Sequence, residues 1–368
     1  MRTTTSNYGP TIARRHGLPG REIRPLSVTV DIHSHLVVPE AAIIAEPHFD
    51  PMSLSSNRFS TLETRRINAD QNRDRMLQIT DPDTRLAEMA AMGLDCQVIA
   101  PSPFQSYYTI PAKIGCRTSR VVNEGIAAFI ARHPDLFAGL GTVPLQDPPA
   151  IVSELTYAVE TLGLKGVQLL TSPPGRELSD PAFEPFWNKA EELGAVVMLH
   201  PNGYPDGERL ERFYFSNVLG NPLDTTVALH YLIFDGVLSR HPGLKIIAVH
   251  GGGYLGAYSG RIDHAWGARP DCNGNLKEPP TFYLRRVFVD SVVFTTHQLA
   301  ALVAVFGADH VLMGTDYPFD MGEYDPIGHV LETPGLDTAT QAAIIGGNAV
   351  RMFGFAEDRT KRATEEAK

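Results

Sequence analysis

Cysteine is scarce in this chain. There are three, Cys96, Cys116 and Cys272, an odd number with no two close in sequence. That excludes a disulfide framework or a zinc ribbon. Long apolar runs are missing too: none approaches the ~20 residues a membrane span needs. The N-terminus, Met1-Arg-Thr-Thr-Thr-Ser-Asn-Tyr8, lacks the apolar core of a secretory leader. Nor is there a surplus of positive charge. Lys and Arg number 32 against 42 Asp and Glu, a formal charge of −10. Such a chain is poorly suited to coat nucleic acid or an anionic membrane. No Gly-x-Gly-x-x-Gly follows the first apolar run, and no Gly-x-x-x-x-Gly-Lys-Ser/Thr occurs anywhere. The two commonest nucleotide-phosphate loops are thereby excluded. What remains is a reduced, cytoplasmic, globular enzyme with no nucleic-acid or membrane partner.

A hydrophobic share of 43% and a charged share of 20% are ordinary for a folded protein. Eight short apolar runs stand out: 27–32, 95–100, 137–143, 166–170, 195–199, 245–249, 286–289 and 311–314. They are rich in Val, Ile and Leu and bounded by Gly, Pro or Asp, as strands buried on both faces are. Helical spacing fills the gaps, over 83–92, 119–132, 149–162, 181–193, 223–239, 253–265, 296–306 and 337–353. Eight strand–helix units predict an α/β fold, a (β/α)8 TIM barrel, as a single domain over 27–356. Residues 1–26, with Arg14, Arg15, Arg21 and Arg24, read as an N-terminal extension, and 357–368 as a charged tail. The connections 36–80 and 201–222 follow strands, so in a barrel both lie over the catalytic mouth.

Four strand ends carry chemistry. The first ends Val30-Asp31-Ile32-His33-Ser34-His35, and strand residues two apart point to the same side, so two imidazoles converge. The fifth ends Leu199-His200-Pro201, the sixth Val249-His250-Gly251, and the eighth Gly314-Thr315-Asp316. Singly, each suits a core histidine or a helix cap. Together they stand at the face where barrel enzymes keep their catalytic groups, and donors of this kind can hold a divalent metal.

The ordered set resembles the amidohydrolase superfamily, most closely its aminocarboxymuconate-semialdehyde decarboxylase branch. The matching pieces are Asp31-Ile-His-Ser-His35, Asp81-Pro-Asp-Thr-Arg-Leu-Ala-Glu-Met89 and Gly93-Leu-Asp-Cys-Gln-Val98. Val143-Pro-Leu-Gln-Asp147, His200-Pro201, His250-Gly-Gly-Gly253, Gly260-Arg-Ile-Asp263, Phe288-Val-Asp-Ser291 and Gly314-Thr-Asp-Tyr-Pro-Phe319 follow in order, covering about 28–355. The resemblance implies one metal ion held by His33, His35, His200 and Asp316. Zn²⁺ suits three nitrogens and one oxygen, with Mn²⁺ as the alternative, and a bound water would complete the site. Relatives with two metals bridge them through a Lys at the end of strand four. Here that strand ends Gln168-Leu-Leu-Thr171, and Lys165 stands at its beginning, so a single ion is expected.

By the same resemblance His250 is the general acid/base. A small carboxylic-acid substrate would be held by arginine forks: Arg73, the nearest match, with Arg75 close by, and Arg261 contributed across a homodimer interface. Phe319 and Tyr107, with Phe104 and Tyr108, are candidates for stacking on the substrate. One departure is His200-Pro201-Asn202-Gly203-Tyr204, where family decarboxylases often carry His-Pro-Trp; the pocket is therefore expected to be more polar or differently shaped. The implied activity is non-oxidative decarboxylation of an unsaturated or aromatic acid in the degradation of aromatic compounds. The alternative keeps the site but makes hydroxide the nucleophile, with Asp316 or His250 taking the water proton. That gives a hydrolase of a C–C, lactone or amide bond, or a hydratase of a muconate-like acid. A degenerate barrel used only for binding should have lost a ligand, and none is lost.

Overall fold

Each of the eight apolar runs contributes a strand to a parallel sheet. In the computed structural model, which describes residues 25, 27–274 and 276–356, these are β1 (Val30–Leu36), β2 (Cys96–Pro101), β3 (Phe137–Gly139) and β4 (Gly166–Leu170), followed by β5 (Val196–His200), β6 (Lys245–Ala248), β7 (Phe288–Asp290) and β8 (Val311–Leu312). The expected extension 1–26, apart from residue 25, and the tail 357–368 lie outside the described residues. β1 begins three residues later than the sequence suggests and runs through both histidines.

The strands form two parallel sheets, β1–β2–β3 and β4–β5–β6–β7–β8. Backbone bonds join their edges. Lys165 N donates to Gly139 O at 2.8 Å and Gly141 N to Gly166 O at 2.9 Å. On the other side Ile32 N reaches Met313 O at 3.0 Å, and Asp316 N reaches His33 O at 2.8 Å.

Alternate strand residues enter two different cores, as the two-residue period of a strand requires. Val30, Ile32, Cys96, Val98, Ala138, Leu140, Val196, Met198, Ile247 and Leu312 pack together, capped by Ala349, Val350 and Phe353. Ile99, Val167, Leu169, Val197, Leu199, Ala248 and Val289 face the helices instead. Fully burying one such aliphatic side chain is worth about 1.5–3 kcal/mol.

The helices include α1 (Pro39–Ala45), α2 (Leu62–Asp74), α3 (Met76–Thr80), α4 (Pro82–Met92), α5 (Ala112–Ile130), α6 (Pro148–Thr156), α7 (Glu184–Glu192), α8 (Gly220–Phe234), α9 (Leu255–Ala268), α10 (Thr296–Phe306) and α11 (Asn348–Phe353). The connection 36–80 is thus largely helical. α4 shows why these segments start and stop where they do. Asp81 caps it by accepting from Thr84 N at 2.8 Å, Pro82 takes the first turn, and Gly93 closes it at φ 79°. The expected single helix over 337–353 is broken by a wider, π-type turn at Ala343–Gly347. There Gly346 packs so close to Val28 O that a Cβ would lie 1.9 Å from it.

Candidate metal centre and active site

β1 is not a regular strand. Asp31 pairs with Gln97 but Ser34 with Ile99, so three steps on β1 oppose two on β2. One residue is bulged out. The bulge reverses the alternation: Val30 pairs with Cys96 and His35 with Ala100, and Cys96 and Ala100 belong to the same inner cluster. His35 therefore turns to the side that Val30 and Ile32 already face. Both imidazoles converge, as the sequence suggests, but through a bulge rather than a plain two-residue repeat.

His200 arrives from the end of β5, and His250 and Asp316 from the turns after β6 and β8. The last two adopt left-handed backbone, φ 56° and 59°, which non-glycine residues rarely do. Gly251, Gly252 and Gly253 continue the turn at φ 65°, 73° and 70°, a run only glycine makes without strain.

The donor atoms crowd one point. His33 Nε2 lies 3.2 Å from His35 Nε2 and 3.4 Å from Asp316 Oδ1, and His35 Nε2 lies 3.1 Å from the same oxygen. The His200 ring centroid is 5.2 Å from that of His33 and 4.9 Å from that of His35, and its Nε2 is buried with no hydrogen-bond partner among the described residues. His250 Nε2 stands 3.6 Å from Asp316 Oδ2. One donor atom each from His33, His200, His250 and Asp316 fall within 4.8 Å of one another.

The outward nitrogens explain why the inward ones are free. Nδ1 of His33 meets Asp290 Oδ2 at 2.7 Å, Nδ1 of His35 meets Pro101 O at 3.2 Å, and Nδ1 of His200 meets Pro201 O at 2.7 Å. Carboxylate and carbonyl oxygens only accept, so each Nδ1 carries the hydrogen. A neutral ring so fixed turns a bare Nε2 inward, the arrangement of metal-binding imidazoles. Burial and neighbouring imidazoles hold His200 well below the ordinary histidine range, so it stays neutral. Burial would also lower His33, but the Asp316 and Asp290 carboxylates outweigh it and raise it. The cluster draws positive charge to its centre. Donors on a tetrahedral ion with bonds of about 2.0–2.1 Å stand about 3.3–3.4 Å apart, close to the spacings around Asp316 Oδ1. The residues fit a single divalent cation.

Asp290, at the end of β7, had no role in the sequence reading beyond its motif. Besides orienting His33 it accepts from Gly251 N at 2.8 Å, tying that ligand to the His250 turn. Its signal was available: it is a polar residue at the C-terminal end of a fifth strand.

A cavity of about 300 Å³ opens above the cluster. His200, His250 and Asp316 line its floor, and Arg75, Phe104, Phe319 and Tyr214 are among its walls, with several amides including Asn202. Here the arginine expectation needs correction. Arg73 points to solvent, 71% exposed, and pairs with Asp70 at 2.8 Å. Arg75 enters the cavity instead. It is 4% exposed, bonded to Gln71 Oε1 at 3.0 Å, and its guanidinium carbon lies 5.4 Å from the Phe319 ring centroid. Phe319 in turn stands 5.1 Å from the His35 ring. Tyr107 does not line the cavity: it is buried and packs edge-on against Phe49 at 5.4 Å. Arg261 lies exposed on α9, outside the cavity of its own chain. Tyr214, unforeseen in the sequence, is turned inward by a left-handed backbone that it shares with Phe213.

A family model described as amidohydrolase matches residues 30–355. The chain belongs to the amidohydrolase family. Within it, the chain falls in the branch resembling aminocarboxymuconate-semialdehyde decarboxylase. The 2-amino-3-carboxymuconate-6-semialdehyde decarboxylase of Dictyostelium discoideum is 34% identical over 277 residues, 75% of this chain and 77% of the relative. The gamma-resorcylate decarboxylase of Rhizobium radiobacter is 31% identical over 302 residues, 76% of this chain and 88% of the relative. Among solved structures, 5-carboxyvanillate decarboxylase from Novosphingobium aromaticivorans, complexed with manganese and a nitrobenzoic acid, superposes with a TM-score of 0.75 at 22% identity. That match covers 89% of this chain and 96% of the other. Among the described residues no helix is long and apolar enough to cross a membrane.

Proposed function

We propose that this amidohydrolase is a metal-dependent, non-oxidative decarboxylase of a small aromatic or unsaturated carboxylic acid. One observation carries the reading. A cation-seeking cluster and a guanidinium lying over a phenyl ring share one small cavity. Arg75 has no ion pair among the described residues, so its fork is available to a substrate carboxylate. The relatives that act on carboxymuconate and resorcylate support the substrate class. A cavity of about 300 Å³ suits a one-ring acid.

The architecture we infer is the (β/α)8 barrel expected from the sequence, supported by the backbone bonds that join the two sheets at both edges. His33, His35, His200 and Asp316 are the ligands in this reading. His250 is left for proton transfer on two grounds. Its side chain keeps 15% exposure to the cavity while those of His33 and His35 are closed off, and among the described residues its Nδ1 has no partner to lock the ring. When bound, the cation supplies Lewis-acid polarisation of a substrate oxygen beside the departing carboxylate. Arg75 orients the acid, and the Phe319 ring packs against the substrate's unsaturated system. Loss of CO₂ leaves an electron pair on the former ring or chain carbon, and His250 delivers the proton to that carbon.

Three nitrogens and one oxygen suit Zn²⁺; Mn²⁺, present in the 5-carboxyvanillate decarboxylase complex, is the alternative ion. Arg261 reaches a substrate only across a homodimer, and exposed Tyr258 on α9, with exposed Tyr254 at the start of that helix, supports that face as the contact. The test is metal analysis of the purified protein, then a screen of hydroxybenzoic and muconic acids with CO₂ detection. One ion per chain and CO₂ equal to substrate consumed are expected. Turnover without CO₂ would replace this reading by the hydrolase or hydratase.

A further inference from the structure

Behind the candidate metal centre lies an arginine with no carboxylate partner. Arg85, on α4, is fully buried, and no ion pair to it occurs among the described residues. Burial lowers its pKa to about 10, so it remains a cation at neutral pH. Keeping a charge there is costly unless its hydrogens are used. Those of the two terminal nitrogens are used on β1 and its neighbours, while Nε–H has no partner among the described residues. Nη2 donates to His35 O and, at 3.4 Å, to Gln78 O. Nη1 donates to Gln97 Oε1 at 2.8 Å and to Ser34 Oγ at 3.3 Å. The guanidinium carbon also lies 4.9 Å from the ring centroid of Tyr317, the residue after Asp316.

Gln97 carries the connection onward. Its Nε2 donates to Asp31 Oδ2 at 2.8 Å. Asp31 then accepts from His33 N at 2.9 Å, from Thr315 N at 3.0 Å and from Thr315 Oγ1 at 2.6 Å. This chain of bonds spans the β1 bulge, where the regular ladder to β2 is interrupted. It fixes backbone groups of three residues that carry or flank ligands: His33, His35 and Thr315.

We propose that Arg85 is a positioning residue for the metal site. Through His35 O directly, and through Gln97 and Asp31 indirectly, it pins the bulged end of β1 so that both imidazoles face the shared centre. The inference rests on the four-ligand reading of that centre but not on the reaction assigned to it. Its test therefore uses metal alone.

Arg85→Lys keeps the charge but cannot span His35 O, Ser34 and Gln97 together. Gln97→Leu cuts the link to Asp31. For each we would measure the Zn²⁺ dissociation constant by chelator competition, the visible spectrum of the Co²⁺ form, and the melting temperature of the metal-free protein. Loss of an outer partner of a metal ligand typically weakens binding about 10- to 100-fold. That weakening is expected in both variants, with altered Co²⁺ bands and little change in metal-free melting. Wild-type affinity and spectrum in Arg85→Lys would overturn the proposal. So would weakened binding that merely tracks a fall in metal-free melting, or failure of both variants to fold, since either makes Arg85 a core residue only. Failure of the wild-type protein to bind any divalent ion would instead remove the four-ligand reading.

Discussion

His250 holds a left-handed backbone conformation, which costs a non-glycine residue free energy. Its Nδ1 lacks a partner among the described residues, whereas the rings of His33, His35 and His200 are each held by an oxygen. His250→Asn should therefore leave metal content unchanged and lower kcat by about 10²- to 10⁴-fold, the usual worth of a general acid. Single-turnover assays on the metal-loaded variant measure this. Arg75 and Arg73 give a second contrast. Arg75→Ala leaves a substrate carboxylate without its fork, and kcat/KM should drop about a hundredfold or more, as when one partner of a buried charge pair is removed. Arg73→Ala, at an exposed pair, should stay within about twofold of the parent. The two arginines stand two residues apart, an interval over which a helix turns about 200°, so they face opposite ways. The sequence is silent on which one points inward. Of this stretch Gln71 and Arg75 are buried and line the cavity, a polar face turned to a polar cavity, and hydrophobic periodicity has nothing to register.

Elements that bury apolar surface were legible. All eight runs became strands, because parallel strands enclosed on both faces demand unbroken Val, Ile and Leu. Strand ends then located His33, His35, His200, His250 and Asp316 without any packing detail. The β1 bulge was invisible: it is fixed by Asp31, Gln97 and Arg85, polar residues distant in sequence whose joint burial no local pattern announces. α4, which carries Arg85, depends on its first turn. Asp81→Ala removes the cap on Thr84 N and should cost about 1 kcal/mol. The expected result is a lower urea midpoint at unchanged slope. Tyr107 was misread for a related reason. An aromatic beside a catalytic strand can line a cavity or fill a core, and here Phe49 supplies its partner within the protein.

At the scale of the whole molecule, an ion bound only by the folded state adds stability by mass action. Free Zn²⁺ or Mn²⁺ at a hundred times its dissociation constant should add about 2.7 kcal/mol. The melting temperature should then climb with metal concentration and return to its starting value on chelation. A flat response would count against a site formed from distant parts of the chain. The dimer expectation has its own check. Arg261→Ala and His250→Asn proteins, each impaired alone, should regain activity when mixed and allowed to exchange subunits. No recovery would leave Arg261 as a surface charge.

The two sheets meet along narrow seams of a few backbone bonds. His33 and His35 belong to the smaller sheet, whereas His200 and Asp316 lie on or just beyond the larger one. An ion gripped by all four is a rivet through the joint between two halves of the polypeptide. Its departure would let those halves breathe against each other, and amide hydrogens of β1 and of the turn at 314–317 would be the first to trade with deuterium.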